Sequence, residues 1–173
     1  MDDNLIKRLL SEERRSWEDP EKFLPELIMR DDVVADVGCG PGYYARVLVR
    51  LSKMVYCIDK NEKMLNYAAG INSPNILFLK DISELPNNSV SVVLFANSFH
   101  DMDRKNMYKE TIRVLNSKGR VIIVDWKKES PMGPPSDIRM SKDEYIKTFS
   151  LDFRLDREFE VGPYHIGLVF VRK

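Results

Sequence analysis

Glutamine is absent from this 173-residue chain, and histidine and cysteine occur twice each. The two cysteines, Cys39 and Cys57, fall in stretches that read as buried and lack the spacing of metal ligands, so no metal site is expected. Neither sign of charge is in excess, with 27 lysines and arginines against 27 aspartates and glutamates. No net field therefore draws nucleic acid or an anionic membrane. There is no charged-then-apolar leader, and no apolar run approaches the ~20 residues that span a bilayer. Internal repeats and low-complexity tracts are missing too. These absences predict one soluble, cytoplasmic domain over residues 1–173, long enough to bury a real core. With charged residues at 31%, the missing glutamine also fits a heat-adapted source.

What is present is organised around Val33-Val34-Ala35-Asp36-Val37-Gly38-Cys39-Gly40-Pro41-Gly42-Tyr43. The short apolar run reads as a strand buried on both faces. Three glycines at alternate positions follow, and Tyr43 to Leu51 then carries helical spacing. Strand, glycine turn and helix predict bare backbone N–H groups offered to a ligand. Asp36 adds a carboxylate beside the turn. The dinucleotide fingerprint G-x-G-x-x-G is not met, because the third glycine arrives one residue early, at Gly42.

Further along, the pattern alternates strand and helix. Asp3 to Arg15 predicts an amphipathic helix, ended by Trp17 and Pro20, and Glu21 to Met29 a second. Lys53 to Ile58 reads as a strand that ends at Asp59, whose position suits a grip on a ribose diol. Glu62 to Ala69 is helical, Asn75 to Leu79 a strand, and Val90 to Ala96 a further strand. Asp103 to Leu115 is helical, and Arg120 to Asp125 forms the next strand after a turn at Asn116 to Gly119. Ser141 to Glu144 is a capping box that opens a helix after a proline-rich loop over Trp126 to Met140. Phe153 to Glu160 and His165 to Val171 alternate around Gly162-Pro163, a hairpin.

With D-V-G-C-G-P-G written out, the chain resembles the class I S-adenosylmethionine-dependent methyltransferases, closest to the small type-11, ubiquinone-biosynthesis-like group. The resemblance implies an α/β, Rossmann-like, doubly wound seven-stranded sheet, with order 3-2-1-4-5-7-6, its last strand antiparallel and helices on both faces. It implies S-adenosylmethionine as cofactor, with the N-terminal helices in residues 1–30 lying over it. Cofactor binding then falls to Asp36, Gly38, Cys39, Gly40 and Gly42, to Asp59 and Lys60, and to Asp81 and Ile82, where the carboxylate and the next amide meet an adenine edge. Asn97 and Ser98 follow the fourth strand and face the sulfonium methyl. The chain departs from relatives at Val90-Ser91, where Phe-Asp is common, and at Asn116-Ser117-Lys118-Gly119, where Lys-Pro-Gly-Gly is common. No Asn-Pro-Pro-Tyr motif is present, which takes weight from nucleobase targets.

Methyl transfer is an in-line displacement, so positioning supplies much of the acceleration, and a base is needed only where the acceptor must lose a proton. His100 is the candidate base, oriented by Asp101. His165, in the terminal hairpin, reads as structural and far from the switch point of the sheet. The N-terminal helices and the Trp126–Met140 loop are expected to select the substrate, with Arg139 and Lys127 placed to receive an anionic acceptor. Two cysteines are too few for arsenite methylation. The expected partner is a small-molecule substrate, with no nucleic acid or membrane insertion, and the chain is a monomer or homodimer. Two rival readings remain. One is a non-catalytic cofactor-binding or partner-dependent subunit. The other is a nicotinamide-dependent oxidoreductase using Tyr56 and Lys60, although short-chain oxidoreductases carry that pair on a later helix.

Overall fold

Every strand of the computed structural model, which describes residues 2–173, joins one seven-stranded sheet. The chain begins with α1 (Asp2–Leu9), α2 (Glu12–Trp17) and the single-turn α3 (Leu24–Leu27). It continues through β1 (Val33–Val37), α4 (Ala45–Leu51), β2 (Met54–Ile58), α5 (Glu62–Ala68) and β3 (Ile76–Leu79). After β4 (Val90–Ala96) come α6 (Arg104–Val114), β5 (Leu115–Trp126), α7 (Lys142–Phe149), β6 (Phe153–Phe159) and β7 (His165–Arg172). The strand order is β3-β2-β1-β4-β5-β7-β6, the Rossmann-like order expected. Strands β1 to β5 pair in parallel, while β7 runs antiparallel to both β5 and β6.

The apolar strands look continuous in sequence because each serves two cores. Val34, Val92, Leu94, Ile122 and Val124 point to one face, where α3, α4 and α5 cover them. Ala35, Val37, Val93, Phe95, Val121 and Ile123 point to the other, against Met107 of α6 and Tyr145 and Phe149 of α7. A side-chain period of two sorts the residues between the layers. Each fully buried aliphatic side chain contributes ~1.5–3 kcal/mol.

Several local readings shift. The first predicted helix is two, because Ser11 accepts from the Arg14 amide and starts α2 afresh. The second shrinks to a 3-10 turn at Pro20–Lys22 and the four residues of α3, since Pro25 cannot donate within a continuing helix. The predicted turn at Asn116–Gly119 lies inside β5, where Leu115 pairs with Val90 and Arg120 with Val92 across a register shift. Ser91 explains its own departure from Phe-Asp. Its hydroxyl donates to Asp32 Oδ1 at 2.8 Å, and the Val33 amide donates to it at 3.0 Å. Arg120 completes that buried staple on Asp32. It lies at the amino ends of the strands, away from the crevice described next.

Candidate active site

From β1 the chain steps to β2 and β3 on one side, then crosses to β4 on the other, so a crevice opens between the carboxyl ends of β1 and β4. A cavity of about 480 Å3 sits there, within the ~300–1,000 Å3 of small-molecule sites. Four neighbouring strands deliver its rim in order. Asp81 and Ile82 follow β3, Asp59 and Lys60 follow β2, Asp36, Gly38, Cys39 and Gly40 close β1, and Asn97 and Ser98 follow β4. Gly42 is not on the wall. It faces the end of α5, where an added Cβ would lie 3.4 Å from that of Ala68 and 2.7 Å from Ile71 just beyond the helix, so this glycine serves close packing.

The glycine turn differs from its sequence reading in a way that bears on the ligand. The amides of Gly38 and Cys39 both donate to the Ile58 carbonyl, at 2.8 and 3.0 Å, and that of Gly40 donates to Asp59 Oδ2 at 2.8 Å. The Gly42 amide donates to the Cys39 carbonyl. These N–H groups are spent within the protein, not bare. A glycine is still required at 38, where φ is +79° and a Cβ would meet that of Ser98 at 2.5 Å. Cys39 and Cys57, which the sequence places in buried stretches without metal-ligand spacing, are joined by a disulfide that ties the turn to β2.

The wall offers acceptors instead. Asp36 is 1% exposed, and its Oδ2 has no hydrogen-bond partner. Burial, and secondarily the charge of Asp59, push its carboxyl up to about 7. Asn97, held at φ +55°, has an unpartnered buried Oδ1. Asp59 Oδ1 accepts from the Asn61 amide, and Asp81 caps a 3-10 turn through Ser83. Both carboxylates therefore have turn duties as well as places on the wall. Ser98 donates its hydroxyl to the Val37 carbonyl at 2.6 Å.

His100 does not line the cavity; Asp101 does. The imidazole side chain is 3% exposed and the Asp101 side chain 65%. His100 Nδ1 lies 2.8 Å from Asp125 Oδ1, and its Nε2 lies 3.3 Å from Asp101 Oδ2. Tyr145 donates to the same Asp125. Asp125, not Asp101, thus orients the ring, and Asp101 is the member at the surface. Burial would depress the imidazole, but its hydrogen bond to Asp125 and the charges of Asp125 and Asp101 together outweigh this and hold its pKa above the ordinary value.

Sequence reading missed the cluster on the other flank. Glu18 Oε1 accepts from the Tyr44 hydroxyl at 2.6 Å and the Asn97 amide nitrogen at 2.7 Å, while Arg14 grips both carboxylate oxygens. The Tyr43 hydroxyl donates to the Glu18 carbonyl. Burial would raise the Glu18 carboxyl, but Arg14 overrides it and keeps the group below the usual range. His165 Nε2 lies 3.6 Å from Glu18 Oε2. It is therefore beside the switch point rather than far from it, because β7 inserts next to β5 and pairs His165 with Trp126. A glutamate in a charged segment carries no periodic signal that would single it out.

The loop over Trp126–Met140 corrects another expectation. Arg139 donates to the carbonyls of Pro134, Lys127, Lys128 and Ser130. Its guanidinium shapes the loop and is not free to receive an anionic substrate. Tyr56 packs against the core while Lys60 lines the cavity, so that pair does not converge on one point. No helix among the described residues is long and apolar enough to cross a membrane. The described residues hold no cluster of three or more potential metal ligands.

The type 11 methyltransferase-domain family model matches residues 35–123. A protein from Sulfolobus solfataricus assigned to the type 11 methyltransferases has a crystal structure with TM-score 0.85 to this chain and 42% identity, over 91% of this chain and 94% of that one. A SAM-dependent methyltransferase from Aquifex aeolicus gives 0.87 and 32%, over 98% of each. A curated protein from Encephalitozoon cuniculi, named as a methyltransferase, is 29% identical over 119 residues, which is 65% of this chain and 54% of that protein. The chain thus spans about half the length of that curated relative.

Proposed function

The chain belongs to the type 11 methyltransferase-domain family, and from that premise we propose that it transfers a methyl group from S-adenosylmethionine to a small-molecule acceptor. Family membership makes it an S-adenosylmethionine-dependent enzyme; the acceptor class is the proposal. The observation that carries the ligand reading is the polarity of the crevice. Its glycine amides are already committed, so a pyrophosphate finds few donors there. Its unsatisfied groups, Asp36 Oδ2 and Asn97 Oδ1, are acceptors that suit a cationic ligand.

When bound, S-adenosylmethionine supplies an electrophilic methyl group on a sulfonium. Asp59 would take the ribose diol, Asp81 with the Ile82 amide the adenine edge, and Asp36 the α-ammonium, which favours its ionised form. Gly38 lets the ligand approach the backbone, while Asn97 and Ser98 stand on the β4 side of the reacting centre. Where the acceptor must lose a proton, Asp101 is the group on the wall, and His100, fixed by Asp125, positions it. The cavity volume supports a small acceptor.

Calorimetry with S-adenosylhomocysteine and with a nicotinamide dinucleotide tests the ligand reading. Binding of the first and not the second is the expected result; the reverse overturns it. Labelled-methyl transfer into a small-molecule extract, and not into protein or RNA, is expected of the acceptor class. Label appearing in a macromolecule would overturn that part alone.

A further inference from the structure

The Cys39–Cys57 disulfide belongs to the glycine turn itself. Cys57 lies on β2 opposite Asp36 of β1, and Asp59 follows it by two residues. The bridge, with 5.5 Å between its Cα atoms, therefore ties the turn to β2 beside two acidic groups of the cavity wall. It acts in parallel with three hydrogen bonds, those of the Gly38 and Cys39 amides to Ile58 and of the Gly40 amide to Asp59.

Its two sulfurs are not equally reachable. Cys57 is fully buried and off the wall, whereas Cys39 is 7% exposed and belongs to the cavity lining. Cys39 Sγ lies 3.7 Å from the carbonyl oxygen of Gly40, the next residue on that wall. Elsewhere the pair is enclosed in the core that α4 and α5 cover. Thiol–disulfide exchange needs a thiolate to reach one sulfur of the bond. The crevice is the side from which Cys39 is met.

We propose that Cys39–Cys57 is a thiol–disulfide exchange site reached through the empty crevice, so that ligand occupancy and the redox state of the glycine turn control one another. The reductant is a small dithiol. One of its thiolates attacks Cys39 Sγ, the bond to Cys57 breaks, and Cys57 leaves and takes up a proton. The second sulfur of the dithiol then displaces Cys39, which is protonated in turn. The dithiol closes as a cyclic disulfide, and two electrons have passed to the protein. A ligand in the crevice covers Cys39 and blocks the first step. Conversely, the reduced turn keeps its hydrogen bonds but loses its covalent tie, so a ligand must order a looser wall as it binds. Such coupling is reciprocal: what weakens the ligand on reduction also resists reduction once the ligand is bound. The inference rests on the cofactor reading above for the identity of that ligand.

The test treats the oxidised full chain with dithiothreitol, with and without S-adenosylhomocysteine, and follows the free thiols by iodoacetamide alkylation and mass spectrometry. At about a hundred times its Kd, S-adenosylhomocysteine is expected to slow reduction ~10–100-fold, since only the empty fraction reacts. Without ligand, reduction should outpace global unfolding as read from a denaturant chevron. A rate capped at the unfolding rate means that unfolding exposes the bond, and overturns the crevice route. Calorimetry then compares S-adenosylhomocysteine on the oxidised and reduced chains, at a temperature where their circular dichroism spectra agree. Reduction is expected to weaken affinity at least ~5-fold, the lower end of ordinary coupling. Cys57→Ala, which cannot form the bridge, should match the reduced chain and ignore the dithiol. Equal affinities in the two redox states, a Cys57→Ala affinity equal to that of the oxidised chain, or a reduction rate indifferent to ligand each overturns the proposal and leaves the cofactor reading intact. Failure of the oxidised chain to bind S-adenosylhomocysteine overturns both.

Discussion

The Asn97 side-chain nitrogen donates to Glu18 Oε1 at 2.7 Å, joining the end of β4 to a segment 79 residues earlier in the chain. That contact, with Arg14 and Tyr44 on the same carboxylate, seats the N-terminal helices on the crevice. Glu18→Ala removes one member of a buried pair and strands the Arg14 charge, which costs ~3–5 kcal/mol. Urea denaturation is expected to show that loss, with early hydrogen exchange across residues 2–17. A change below ~1 kcal/mol, the scale of an exposed pair, would reduce the cluster to a surface contact.

Asp59→Ala removes the acceptor of the Gly40 amide and the proposed ribose ligand together. Affinity for S-adenosylhomocysteine should fall ~10–100-fold, since hydrogen bonds to charged groups are worth ~1.5–3 kcal/mol each. The circular dichroism spectrum should be unchanged. Unaltered affinity would remove the ribose assignment.

Asp36 gives the ligand-free protein a pH dependence of definite sign. Its carboxyl is held at about 7 against a reference of 3.8. The folded state therefore keeps the proton longer than the unfolded state does, and this contribution to stability is lost as pH rises from 3.8 through about 7. Thermal midpoints should show a downward component over that window, absent from Asp36→Asn. S-adenosylhomocysteine should reduce it, because a bound ammonium stabilises the ionised carboxylate. Identical pH profiles for both proteins would refute the assignment.

The two histidines should titrate on opposite sides of 6.5. His100 is raised through Asp125, so its contribution to stability is present below 6.5 and lost as pH climbs through its folded value. His165 is lowered by burial more than Glu18 can restore. Its contribution is present when the ring is neutral and is lost as pH falls through and below 6.5. Imidazole proton shifts, assigned with His165→Phe, measure both. Two coincident titrations would contradict the buried placement of the pair.

Cys39 and Cys57 are 18 positions apart in the chain, and closing a loop of that length contributes ~3 kcal/mol in the chain-entropy account. A phosphine reductant should lower the denaturation midpoint of the parent chain and not that of Cys39→Ser/Cys57→Ser. If reduction leaves the parent's midpoint unmoved, the crosslink carries no stability.

Much of the frame is legible in the chain because its signals are local. The Val33–Val37 run, the capping box at Ser141 and the alternation around Gly162 each show their period within a few residues. The row of carboxylates is legible too, since Asp36, Asp59 and Asp81 each stand at or near a strand's end. What stays hidden depends on distant partners. Glu18 looks like one more charge until Arg14, Tyr44 and Asn97 surround it, and Cys39 and Cys57 meet only because β1 pairs with β2. The glycine turn misleads for the same reason. Its letters promise free amides, and the carbonyl of Ile58 and the carboxylate of Asp59 claim them from the neighbouring strand.

Arg139 shapes the Trp126–Met140 loop by reaching four main-chain oxygens, and main-chain oxygens are the same whatever residue bears them. The grip of Arg139 on that segment is therefore independent of which side chains stand at 127, 128, 130 and 134. Substitution at those positions leaves all four acceptors in place, so the outer surface of the loop can change while Arg139 keeps its hold.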